Sequence, residues 1–174
     1  MQYLIDQARV FPARAAAHGL DLGLQTEHGR PRAMFVSCSD ARIVPALITG
    51  GRPGDLFELR TYGGLIPRFH PQESTGESRT IEHAIHDLEV SDIIVCGHSR
   101  CGIVDAAVAA YDKPSEAAAA GQWHTLTQLD QLSTYPCVVL KLADRSLRLH
   151  AWFYETDTGT VLRYDPRASD FLPL

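Results

Sequence analysis

Residues 92–102 read Asp92-Ile93-Ile94-Val95-Cys96-Gly97-His98-Ser99-Arg100-Cys101-Gly102. An unbroken apolar run follows the aspartate, without the alternation of a half-exposed strand. It predicts a strand over Asp92–Cys96 buried on both faces. Gly97–Cys101 reads as a loop and Gly102–Ala110 as a helix. A similar unit lies upstream. Ala33–Val36 is a short apolar run ending at Ser37-Cys38, which suits a second buried strand. Cys38-Ser39-Asp40-Ala41-Arg42 follows, then a short helix over Ile43–Ile48 closed by Gly50-Gly51.

Between these units, Asp55–Arg60 predicts a strand after the turn Arg52-Pro53-Gly54. Ser74–Glu89 predicts a helix, because Ile81, Ala84, Ile85 and Leu88 fall on one face and Ser74 or Thr75 can cap its start. Residues 2–18 have helical spacing at Leu4, Ala8, Phe11 and Ala15, with Pro12 as a point of kinking or division. Asp112–Gln122, including Ala117–Ala120, reads as a surface connection. Trp123–Leu132 and Pro136–Ala143 predict two more helices, the second with proline at its start. Leu147–Tyr154 and Thr160–Tyr164 predict strands joined at Asp157-Thr158-Gly159. The order predicts one α/β domain over residues 1–174, with a mostly parallel central sheet, flanking helices and a C-terminal hairpin that extends the sheet. In such sheets ligands sit beyond the carboxyl ends of the strands. Cys38 and His98 fall at two of those ends.

The bulk numbers narrow the function. The chain has 174 residues, 45% hydrophobic, with a formal net charge of −5. An acidic balance with scattered Arg and Lys argues against a nucleic-acid surface and shows no membrane patch. No apolar run approaches the roughly 18–20 residues that span a bilayer. The start, Met1-Gln2-Tyr3-Leu4-Ile5-Asp6, lacks the pattern of a signal peptide. The expected compartment is the cytoplasm, where four cysteines stay reduced and serve metal or catalysis before disulfides.

Two thiolates and an imidazole are good zinc donors, and the metal prefers four tetrahedral ligands. His98 and Cys101 are spaced to reach one ion from a single loop, and Cys38 arrives from the neighbouring strand end. The fourth position can hold Asp40 or a water. Arg42 bears on that choice, because it can grip the Asp40 carboxylate bidentately. If Arg42 holds Asp40, zinc keeps a water; if it lets go, Asp40 closes the site. His–x–x–Cys and Cys–x–Asp–x–Arg are each weak signals alone. Their meeting at two strand ends of one domain is specific.

Cys38–x–Asp40–x–Arg42 followed by His98–x–x–Cys101-Gly102 resembles the paired signature of the β-class carbonic anhydrases. Pro53–Phe57 before Arg60, Glu82–Gly97, and Leu149–Tyr154 with Thr158-Gly159 resemble other segments of that family, so the likeness runs from about Phe35 to Tyr164. The resemblance implies a Zn2+ enzyme that hydrates carbon dioxide reversibly to bicarbonate through zinc-bound hydroxide. Cys38, His98 and Cys101 are then the lasting ligands. Asp40 and Arg42 form the gating and orienting dyad, and Gly102 and Tyr62 meet the substrate. The resemblance also implies a homodimer or homotetramer, with residues 1–32 as a helical arm packing on a partner subunit.

Three departures set this chain apart. Ala41 stands where the family usually has serine. Arg60-Thr61-Tyr62-Gly63-Gly64 replaces a segment close to Arg–Asn–Ala–Gly–Asn. The stretch from Gly102 to Gln122 is shorter than in many relatives. An altered wall and a shorter cover also suit a zinc enzyme acting on another electrophile, such as carbonyl sulfide, carbon disulfide or a substrate of a specialised pathway, or a silent zinc-binding homologue. Simpler roles suit the remaining residues. His83 and His86 read as surface or interface groups, Cys96 and Cys137 as core, Trp152 and Tyr154 as hairpin packing, and Asp144-Arg145 as a solvated turn.

Overall fold

β-Branched and aromatic runs place the strands, and their order makes the sheet. The structure is a computed structural model and describes residues 1–20, 30–109 and 117–174. Six strands line up as β2-β1-β3-β4-β5-β6. β1 (Ala33–Cys38), β2 (Leu56–Thr61), β3 (Asp92–His98) and β4 (Arg148–Tyr154) are mutually parallel. β5 (Val161–Asp165) runs antiparallel to β4, and β6 (Asp170–Pro173) antiparallel to β5. This is the expected α/β arrangement, with the C-terminal strands extending the sheet.

The helices are α1 (Gln2–Ala17), α2 (Pro45–Thr49), α3 (Gly76–His86), α4 (Gly102–Ala109), α5 (Ala117–Leu132) and α6 (Pro136–Ala143). Thr75 caps α3. Its hydroxyl accepts from the Ser78 N–H at 3.1 Å while Ser78 Oγ accepts from the Thr75 N–H at 2.9 Å, so two of the helix's free donors are satisfied. Met34, Val36, Ile93 and Val95 pack one sheet face against Ile81, Ala84 and Ile85 of α3 and Val138 of α6. Phe35, Ile94 and Cys96 form a cluster on the other face with Trp152 and Tyr154.

Several expectations need correction. Pro12 does not split α1, which runs through it. The Ala8 carbonyl that loses its partner lies on an exposed turn where water can serve it. β3 continues to His98, so the histidine ends the strand instead of belonging to a loop over Gly97–Cys101. Residues 117–122 are helical and not a surface connection, because the alanine run 117–120 is a strong helix former; 110–116, including the expected last residue of α4, lie outside the described residues. The late hairpin gains a third strand, β6, whose pairing with β5 is made after a turn at Ser169 with φ 52.

Close approaches fix α5 against the strand that carries His98. A Cβ on Gly97 would collide with Thr125 Oγ1. A Cβ on Gly121 would stand 2.9 Å from Phe153 Cε2. Glycine at both positions lets helix and sheet backbones meet at a distance no side chain permits.

Candidate metal centre and cleft

β1 and β3 are neighbours, so their carboxyl ends lie side by side and carry Cys38 and His98 together. Cys101 follows at the start of α4. A sulfur of each cysteine and a ring nitrogen of His98 all lie within 4.8 Å of one another. The three residues are 5%, 3% and 4% exposed. His98 Nδ1 donates to the Ser99 carbonyl at 2.9 Å, and Nε2 is buried with no partner. A buried imidazole nitrogen left unsatisfied costs stability unless something fills it. Two thiols beside it supply the soft donors that zinc takes. The residues present therefore fit a metal.

Asp40 stands outside that trio. Arg42 Nε donates to Asp40 Oδ1 at 3.0 Å and Nη2 to Oδ2 at 2.7 Å, and the Arg42 backbone N–H adds a bond of 2.9 Å to Oδ1. These bonds hold the Asp40 carboxyl well below the usual carboxylate range, the Arg42 side chain first and its backbone N–H second. Arg42 Nη2 also donates to the Arg100 carbonyl at 2.8 Å, which joins the two ligand loops. Arg60 Nη2 donates to the Asp40 carbonyl at 2.7 Å and reaches the Cys38 carbonyl at 3.3 Å. The His98–Cys101 segment is tied outward as well. Arg100, with φ 53, pairs with Asp157 at 2.6 Å. Ser99 Oγ accepts the Thr156 N–H at 2.9 Å.

A cleft of about 410 Å³ opens on this centre, lined by Cys38, Ser39, Asp40, Tyr62, Gly102 and Ile103. Tyr62 and Gly102, singled out from the sequence, thus lie on its wall. Tyr62 begins a short 3-10 turn over Tyr62–Gly64 in which Gly63 and Gly64 have φ 67 and 69, a region that only glycine enters freely. The Arg60, Arg100 and Asp157 contacts were missed from the sequence. They bring together residues far apart in the chain, and no local pattern announces them.

The remaining residues keep plain roles. His83 pairs with Asp87 at 2.6 Å on the surface of α3. Burial pushes the Cys96 thiol up to about 12, which makes it inert. Cys137 is core. Trp152 packs edge-on to Phe35 at 6.0 Å. Asp144 accepts the Ser146 N–H at 2.9 Å in a turn.

Fold and site define a class: a parallel α/β sheet whose strand ends hold a buried thiol–imidazole–thiol centre, facing a cleft beside an arginine-held carboxylate. Comparison with known proteins gives the same answer more narrowly. The family model for carbonic anhydrase matches residues 33–126. A carbonic anhydrase from Pseudomonas aeruginosa is 35% identical over 200 residues, covering 99% of this chain and 89% of the relative. Carbonic anhydrase 1 of Escherichia coli O157:H7 is 36% identical over 99% of this chain and 89% of its own length. The structure of the β-carbonic anhydrase CcaA superposes with a TM-score of 0.86 at 32% identity, covering 100% of this chain and 99% of that one. The chain belongs to the carbonic anhydrase family, in its β class, and is a lyase of that kind.

Proposed function

We propose that this chain is a zinc enzyme for the reversible hydration of carbon dioxide to bicarbonate, with Cys38, His98 and Cys101 as protein ligands and Asp40–Arg42 as the dyad that keeps the fourth position open. The observation that carries the reading is His98 Nε2, buried and unpartnered beside two thiols. Zinc held there supplies Lewis acidity that brings the pKa of a water to about 7, and with it the nucleophile.

The chain's own residues do the rest. Arg42 keeps both Asp40 oxygens occupied and ionised, so the carboxylate is an acceptor at the cleft wall and not a ligand. With zinc bound, Asp40 would accept a hydrogen bond there from the attacking oxygen and so orient it. Gly102 offers its backbone N–H, at the start of α4, to a substrate oxygen. Tyr62 and Ile103 give the cleft an apolar wall that suits a small apolar gas and disfavours ordered water.

A homodimer or homotetramer suits the surface of α1. Tyr3, Leu4, Ile5, Val10 and Phe11 of that helix are exposed, and Ala15 is its buried residue. Exposed apolar side chains gathered on one helix call for a partner. One structural relative, from Sordaria macrospora, is described as tetrameric. Light scattering of the purified chain, with and without residues 1–17, tests the arm. Among the described residues no helix is long and apolar enough to cross a membrane. The four free thiols suit the reducing cytoplasm.

Stopped-flow hydration of carbon dioxide by the zinc-loaded protein at about pH 8.5, above the pKa of roughly 7 expected for the metal's water, tests the reaction. Fast zinc-dependent turnover supports it. A fully metallated protein without turnover overturns it and turns the search to carbonyl sulfide and carbon disulfide.

A further inference from the structure

One contact beside the cleft lies outside the metal centre. His124 Nε2 donates to the Gly63 carbonyl at 2.9 Å. Gln128, one helical turn further along α5 and 5% exposed, accepts the Ile66 N–H through Oε1 at 2.9 Å. Residues four apart share a helix face, so α5 holds the segment from Tyr62 to Ile66 at two points. The segment needs holding. Gly63 and Gly64 are both left-handed, and paired glycines have more conformational freedom to lose than any other residues. Among the described residues one backbone bond closes the turn, from the Leu65 N–H to the Tyr62 carbonyl, and it is long at 3.3 Å; the Thr61 hydroxyl donates to the Leu65 carbonyl at 2.9 Å across its base, which leaves the Gly63 peptide to His124. The turn also sits where small shifts matter. A Cβ on Gly63 would stand 3.1 Å from Ile103, and one on Gly64 would stand 3.4 Å from the Cys38 nitrogen. The anchor itself is rigid, since α5 meets β3 and β4 through Gly97 and Gly121.

We propose that His124 is a positioning residue for the reaction: its bond to Gly63 seats the Tyr62–Gly64 turn against Cys38 and so fixes how far the Tyr62 ring closes the cleft. Tyr62 itself is 71% exposed, and among the described residues its side chain makes no hydrogen bond that would hold the ring in place. Its position is inherited from the turn. With the turn seated, the Tyr62 ring holds one position on the cleft wall, which a ring-bearing molecule meets and a small linear one need not. With the turn released, that contact is lost. This inference rests on the reading of the cleft as the substrate site.

The experiment compares His124→Leu, which removes the donor at similar bulk, with His124→Gln, which returns an N–H near the Nε2 position. Calorimetry on the zinc-loaded proteins reads the affinity for thiocyanate, a small linear anion, and for benzenesulfonamide, which carries a ring. Hydrogen exchange of the Gly64, Leu65 and Ile66 amides reads the turn directly in metal-free protein. His124→Leu is expected to speed exchange at these amides and to change the ratio of the two affinities. It should lower kcat/KM for carbon dioxide through KM by about tenfold, less than the roughly hundredfold that a full 1 Å misplacement can cost. His124→Gln should restore all three. In a Tyr62→Ala background, His124→Leu should still speed exchange but add nothing to the change in affinity ratio or in kcat/KM.

Unchanged exchange and an unchanged affinity ratio in His124→Leu would overturn the proposal. So would equal effects of Leu and Gln, which would assign the role to packing, or full additivity with Tyr62→Ala. Should the wild type lack hydratase activity, the exchange and binding readouts still decide whether His124 seats the turn.

Discussion

Two arginine–carboxylate pairs sit at opposite ends of the same sheet and are nearly alike. At the carboxyl end, Arg42 grips Asp40 at 3.0 and 2.7 Å. At the amino end of β3 and β4, Arg148 grips Asp92 at 2.7 and 2.7 Å. In both, the arginine's hydrogen bonds are the main reason the carboxyl is held well below its usual range. The difference lies in the neighbours. Asp92 is also bonded by Ser91 Oγ at 2.7 Å and His150 Nε2 at 2.8 Å, so its surroundings are satisfied. Asp40 borders a cleft and an imidazole nitrogen with no partner. A held carboxylate is therefore not itself a mark of function. An unfilled donor beside it is.

The largest effect should come from removing a metal donor. Cys101→Ala should abolish stoichiometric zinc and lower hydration by at least about a thousandfold, read by metal analysis and stopped flow, since a site short of a thiolate holds the metal poorly. Asp92→Asn, at the other end, should leave hydration within about twofold, as expected of a residue remote from the chemistry. A large loss there would erase the distinction.

Arg42→Ala comes next. Releasing Asp40 to close the fourth position should lower activity by about 10–100-fold, the scale of losing an outer hydrogen bond beside a metal site, with zinc content unchanged. A fully active variant would remove the dyad from the mechanism. Gly97→Ala tests the scaffold shared by both ends. Its new methyl meets Thr125, itself buried, so stability should fall by about 1–3 kcal/mol, read by urea denaturation.

The smallest effect is the acid dependence of the amino-end pair. Because the folded-state pKa of Asp92 is depressed, its contribution is full above the unfolded value of about 4 and fades as pH falls through the lower folded value. Asp92→Asn should thus melt a few degrees below wild type at neutral pH, with the gap closing in acid. A gap that widens toward acid would contradict the assignment.

The carboxyl end of the sheet was legible in the sequence because its signals are local. Apolar runs ending in Cys38 and leading to His98 state both the strand and its functional end. The pair Asp40 and Arg42 is two residues apart, so its geometry is nearly dictated. What escaped is long-range. The helical spacing of His124 and Gln128 could be seen, but not their partners in the Tyr62–Ile66 segment. β6 escaped because a four-residue strand containing Pro173 has little signal of its own and forms by pairing with β5. The early start of α5 escaped because polar neighbours masked the helix preference of 117–120. The Arg148–Asp92 pair escaped because only the register of β3 on β4 brings those residues together.

Zinc K-edge absorption of the zinc-loaded wild type and of Arg42→Ala, each with and without thiocyanate, reads whether Arg42 keeps the fourth position open. The wild type should show two sulfurs at about 2.3 Å, one nitrogen at about 2.0 Å and a light fourth ligand that thiocyanate replaces; in Arg42→Ala the fourth ligand should resist replacement, because the freed Asp40 holds it. The same thiocyanate-sensitive spectrum in both proteins, or a fourth ligand that resists thiocyanate in the wild type, would contradict the view that Arg42 keeps the position open.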